Sequence, residues 1–125
     1  MKITIESIPY DRMRYPQWGD WYTRHGVLNI KVSNTEKDGE PISEDEKFLF
    51  AIHELVEYYL CKKHGVTEKQ VDEFDMNIFP TFGLPEEFEA GDHPDAPYRK
   101  EHRAAMLIEH QVAAMLGMDD YGVIR

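Results

Sequence analysis

A single cysteine, Cys61, leaves the chain without an internal disulfide and fits a reducing compartment. Its apolar neighbours on a predicted helix make it a buried thiol. Basic residues are scarce as well: 14 Lys and Arg against 24 Asp and Glu give a formal charge of −10. Nucleic acids and anionic membranes are bound through basic patches, so this balance argues against either as a partner. No apolar run approaches the length of a membrane span. The opening Met1-Lys2-Ile3-Thr4-Ile5-Glu6 lacks the long apolar core of a signal peptide, and the expected location is cytoplasmic. Internal repeats and low-complexity tracts are missing, which excludes repeat architectures. What remains is 125 residues, 42% hydrophobic and 30% charged, the size and composition of one domain that buries a core unaided.

Lys2 to Ile8 alternates like a short strand that Pro9 ends. The aromatic and basic stretch Tyr10 to Trp18 reads as a loop. Asp20 to Arg24 and Val27 to Ser33 read as strands joined at His25-Gly26. Ser43-Glu44-Asp45-Glu46 is a capping box opening a helix to about His64, where Gly65 supplies a left-handed stop. Thr67-Glu68-Lys69-Gln70 repeats the box for a shorter helix to about Phe74 or Asp75. Pro80, Pro85, Pro94 and Pro97, with Gly83 and Gly91, predict an ordered loop from Asn77 to Pro97, of a length more often functional than idle. The last helix starts near Pro97 and runs to Leu116. The expected fold is a single α+β domain over residues 1–125, a small antiparallel sheet packed on two main helices.

The first long helix carries His53-Glu54-Leu55-Val56-Glu57 where a structural helix would place aliphatic residues. One helical turn separates His53 from Glu57, so both project from one face with tips close enough to hold one ion. Glu54 lies about 100° around the helix, placed to act on bound water. This is the layout of the His-Glu-x-x-His zinc helix with a carboxylate as second ligand. On the last helix, His102 and Glu109 share one stripe with Ala105, Met106, Val112, Ala113 and Leu116.

A catalytic zinc takes three protein ligands and leaves one position open. His53, Glu57 and His102 would meet that requirement, with Asp75 as a fourth or outer ligand and Glu109 as a ligand or a carboxylate orienting a histidine. Glu54 would then act as the base that moves a proton from water to the leaving group. Zinc is the expected divalent ion, although a carboxylate ligand also suits manganese, iron or magnesium. Asp72, and Asp92 with His93 in a turn, complete the candidates. Each has a structural alternative: a solvated face for Glu54 and Glu57, a core histidine bonded to Glu57 or Glu109 for His102, a helix end for Asp75 and turn chemistry for Asp92.

At His53-Glu54-Leu55-Val56-Glu57 the chain resembles the zincin-like metallopeptidases, which join a small antiparallel sheet to an active-site helix and take a further ligand from a later segment. It departs from them at Glu57, where they have histidine. A longer succession looks like a group of small phage and prophage proteins over residues 27 to 121. It runs through His53 to Glu57, Cys61, Val71-Asp72-Glu73-Phe74-Asp75, Gly91-Asp92, Ala96-Pro97-Tyr98, Glu101-His102, Ala105 and Glu109. The zincin resemblance implies a metal-dependent hydrolase acting on a peptide or protein substrate, with Val27 to Ser33 as an edge strand that pairs with it. The alternatives are a non-enzymatic phage accessory protein, built on a structural metal site or a buried polar network, and a metal-dependent phosphohydrolase.

Overall fold

His25 and Gly26 have φ of 54° and 77°, the backbone of a two-residue hairpin turn whose twist matches that of paired strands. The turn sets β2 (Gly19–Arg24) antiparallel to β3 (Val27–Ser33). In the computed structural model, which describes residues 1–121, β1 (Lys2–Ile8) lies on the other side of β3 and runs parallel to it. The sheet is therefore mixed, with order β1-β3-β2, and not antiparallel throughout as the sequence suggested. The hairpin already occupies one edge of β3, so β1 takes the other, and the loop after it must cross to the far edge to start β2. A second expectation falls with the first: β3 is the central strand, both of its backbone edges are paired, and it cannot receive a substrate strand.

Leu28, Ile30 and Val32 alternate onto one face of β3 and are buried there. Helix α1 (Glu44–His64) covers that face. Its ends are those the sequence announced: Ser43 accepts from the Glu46 amide, and Gly65, at φ 78°, closes the last turn. Thr67 and Gln70 cap each other reciprocally at the start of α2 (Glu68–Glu73). No stop follows α2. The chain passes into a π turn over Phe74–Ile78 and a 3-10 turn over Phe79–Phe82, and a further 3-10 turn at Ala90–Asp92 orders the segment read as loop. Helix α3 (Arg99–Met115) lies antiparallel against α1, so that His53 meets Glu109 while His64 meets Glu101.

The inward face of α1 holds His53, Glu54 and Glu57 beside Leu49, Phe50, Tyr58 and Cys61, while Phe48 and Tyr59 are more than half exposed. On α3 the buried stripe is His102, Ala105, Glu109 and Ala113, and Leu116 lies just past the helix end and exposed. Both long helices thus turn ionisable groups toward each other. Burying those groups is costly unless each finds a partner, and the partners define a site.

Candidate metal centre

The antiparallel packing of α1 and α3 sets His102 opposite the His53–Glu57 pair. His53 Nε2 lies 3.1 Å from Glu57 Oε2 and 3.2 Å from His102 Nδ1, and His102 Nδ1 lies 3.0 Å from the same Glu57 oxygen. Three ligand atoms therefore form a nearly equilateral triangle. Atoms about 2.0–2.1 Å from a tetrahedral zinc ion are about 3.3 Å from one another, so the triangle has the dimensions of one face of such a shell.

The outer contacts hold these atoms in place. His53 Nδ1 and Glu109 Oε1 are 2.7 Å apart, and the Tyr121 hydroxyl binds the other Glu109 oxygen. A histidine that donates from Nδ1 to a carboxylate presents the lone pair of Nε2 to the cluster. Trp21 donates its indole N–H to Glu57 Oε1 at 3.1 Å, leaving Oε2 for the two histidines. Two imidazole nitrogens facing each other and one carboxylate oxygen are compatible only if protons or a cation lie between them.

Protonation shows how the cluster would manage alone. Burial would lower the His53 pKa, but hydrogen bonds to Glu109 and Glu57 outweigh it and lift it to about 10. Burial likewise opposes ionisation of Glu57, yet His102 and His53 hold it at about 2. For Glu54 burial, then the Glu57 charge, outweigh the lowering pull of His53 and His102 and push it well above the ordinary carboxylate range. Its Oε2 is 3.9 Å from His53 Nε2. Gly19 packs on this carboxyl so closely that a Cβ there would lie 2.8 Å from Oε2, so the start of β2 fixes where Glu54 points.

The remaining candidates part company with this centre. Asp75 lines the same cavity, but both its oxygens accept from tyrosine hydroxyls, Tyr15 at 2.9 Å and Tyr98 at 2.5 Å, and it is outside the set whose ligand atoms converge. Asp72 is bound by Arg14 and neither lines the cavity nor joins the converging set. His93 stacks on Phe82 with ring centroids 4.5 Å apart and accepts from the Asp95 amide, which is structural work. Glu109 contacts His53 Nδ1 and lies outside the set whose ligand atoms converge. In the sequence Tyr98 stands out only within the motif Ala96-Pro97-Tyr98, Tyr15 and Trp21 only by their aromatic character, and Glu89 not at all, because their roles depend on contacts between distant segments.

Burial raises the Asp75 pKa to about 7, against the lowering effect of the Tyr98 hydroxyl. A carboxyl whose folded pKa exceeds its unfolded value stabilises the fold fully below the unfolded value and loses that contribution as pH rises through the folded one. Wild-type stability should therefore fall between about pH 4 and 7 on account of this group. Asp75→Asn should show a shallower fall, measured as the urea midpoint at pH 5 and 7. Equal slopes in the two proteins would contradict this account of Asp75.

The centre opens into a cavity of about 460 Å³. Glu36, Glu46, Glu87, Glu89 and Asp92 surround it, and no lysine or arginine lines it among the described residues. The field inside is negative, which attracts cations and repels phosphate groups. Among the described residues no helix is long and apolar enough to cross a membrane. No family model matches the chain, and comparison with curated proteins and with solved structures finds no match either.

Proposed function

We propose that the chain is a metal-dependent hydrolase that cleaves a peptide or amide bond, with zinc the expected ion and His53, Glu57 and His102 its ligands. The observation that carries this reading is the triangle of His53 Nε2, Glu57 Oε2 and His102 Nδ1, with the buried Glu54 carboxyl beside it at the cavity wall. A bound cation would supply Lewis acidity. Glu109 keeps His53 in the tautomer that offers Nε2, and Trp21 keeps Glu57 turned inward. Glu54, whose carboxyl stands beside His53 at the cavity wall, would accept the proton of the attacking water and return it to the leaving nitrogen. The acidic lining favours neutral or basic substrates over phosphate esters, which sets the phosphohydrolase alternative behind. With β3 paired on both sides, the free edge nearest the cavity is that of β2, whose first residue, Gly19, lines it.

The test begins with elemental analysis of protein purified without chelator, followed by a peptide-library screen of the metal-loaded protein by mass spectrometry. Glu54→Gln should keep the ion and lose about 10²–10⁴-fold in turnover. A wild type that neither contains nor takes up zinc, manganese or iron would overturn the proposal in favour of a buried polar network. An ion held equally by both proteins with no cleavage by either would favour a structural metal in an accessory protein.

A further inference from the structure

His102 Nδ1 faces His53 and Glu57, and the opposite ring nitrogen, Nε2, faces out of the cluster toward the turn at Ala90–Asp92. Glu89 Oε2 lies 3.2 Å and Asp92 Oδ1 3.4 Å from it. Neither contact has hydrogen-bond geometry, and Nε2 has no hydrogen-bond partner among the described residues. His102 is only 5% exposed, so its outer nitrogen has these two carboxylates close by but no aligned hydrogen bond to satisfy it. The imidazole nitrogen and the two carboxylates lie within 4.8 Å of one another, close enough to share one ion. Gly91 sets this arrangement: a Cβ there would come within 2.4 Å of the His102 ring. Only glycine lets the turn lie on the imidazole and bring Glu89 and Asp92 to its outer nitrogen.

We propose that His102 Nε2, Glu89 and Asp92 hold a second divalent cation of the zinc class, so that one imidazole links an inner and an outer ion. The proposal rests on the hydrolase reading in that His102 is shared between the two sites. Coordination at both nitrogens makes the ring an imidazolate, its N–H protons pass to solvent, and the two cations offset the charge. Ions bound to opposite nitrogens of one ring sit about 6 Å apart, given metal–nitrogen bonds of about 2 Å. That exceeds the roughly 3.5–4 Å of two-metal clamps that share a reacting oxygen. The outer ion therefore belongs to the cavity wall, where it locks the His102 ring and neutralises Glu89 and Asp92, and the chemistry stays at the inner position.

Zinc titration in excess magnesium, with elemental analysis of the desalted protein, decides the matter. Wild type should take up two ions per chain, Glu89→Gln/Asp92→Asn one, and Glu57→Gln one. The Glu89 and Asp92 side chains are 34% and 43% exposed, so the double variant keeps its fold, as circular dichroism would verify. A wild type with one ion, kept by Glu89→Gln/Asp92→Asn and lost in Glu57→Gln, would overturn the outer site and leave the hydrolase reading standing. One ion kept by Glu57→Gln and lost in the double variant would overturn the inner site, and with it the shared ring. A wild type that binds none would overturn both.

Discussion

The His53→Ala protein should bind zinc at least about 100-fold more weakly than wild type at the inner position and lose the stabilisation that zinc confers there. The substitution removes one corner of the ligand triangle and also the group between Glu57 and Glu109, whose carboxylates would then lie in the protein interior without the imidazole that each now contacts. At a free zinc concentration about 100-fold above Kd, binding adds about 2.7 kcal/mol to the stability of wild type. Competition with a chromophoric chelator measures the affinity, and thermal unfolding with and without EDTA measures the linked stability. Glu109→Gln gives an intermediate reference, because it keeps all three ligand atoms and weakens the outer contacts of Glu109 with His53 and Tyr121. Its loss should be about 10–100-fold. Should His53→Ala bind zinc at the inner position as tightly as wild type, the ligand assignment is wrong.

Arg14→Ala should destabilise the fold by about 1–3 kcal/mol. Asp20 is 2% exposed, and Arg14 holds its two oxygens in a fork at 2.7 and 2.9 Å. The same guanidinium reaches Asp72 at 3.0 and 3.2 Å and lies over the Tyr22 ring. One side chain thereby ties the loop after β1 to β2 and α2. Removing it leaves the Asp20 carboxyl buried without its counter-charge, and burial already raises the pKa of that carboxyl against the pull of Arg14. Arg14→Lys should recover only part of the loss, since an ammonium cannot fork. The double variant Arg14→Ala/Asp20→Asn should be less unstable than Arg14→Ala alone, because it removes the stranded charge together with its partner. Urea unfolding of the three proteins checks this. A double variant at least as unstable as the single one would show that packing, and not the charge pair, is what Arg14 provides.

Much of this was legible in the sequence because it is local. Ser43, Gly65 and Thr67 mark helix ends within four residues of the groups they cap, and His25-Gly26 marks a turn by its own backbone preference. His53, Glu54 and Glu57 could be placed on one helix by spacing, and His102 and Glu109 on another. Their mutual approach was an inference that the packing of α1 on α3 supports. The direction of β1 was not legible, since alternation in Lys2 to Ile8 is the same beside a parallel or an antiparallel neighbour. Asp75 looked like a ligand by residue type, and its two tyrosine partners sit 60 and 23 positions away in the chain. Glu89 gave no signal in a segment broken by prolines, because its meaning depends on Gly91 lying on the His102 ring.

The separation along the chain of the residues in the cluster has a kinetic side. His53 meets Glu109 across 56 positions, His102 across 49, and Glu57 meets His102 across 45. The entropy of closing such loops has to be overcome before any of these side chains meet. A short zinc-binding loop can be nucleated by its ion, but here α1 and α3 must dock first. Truncating the chain before α3 would take His102 and Glu109 away from His53 and His102 away from Glu57, so the complete cluster belongs to no fragment that lacks α3.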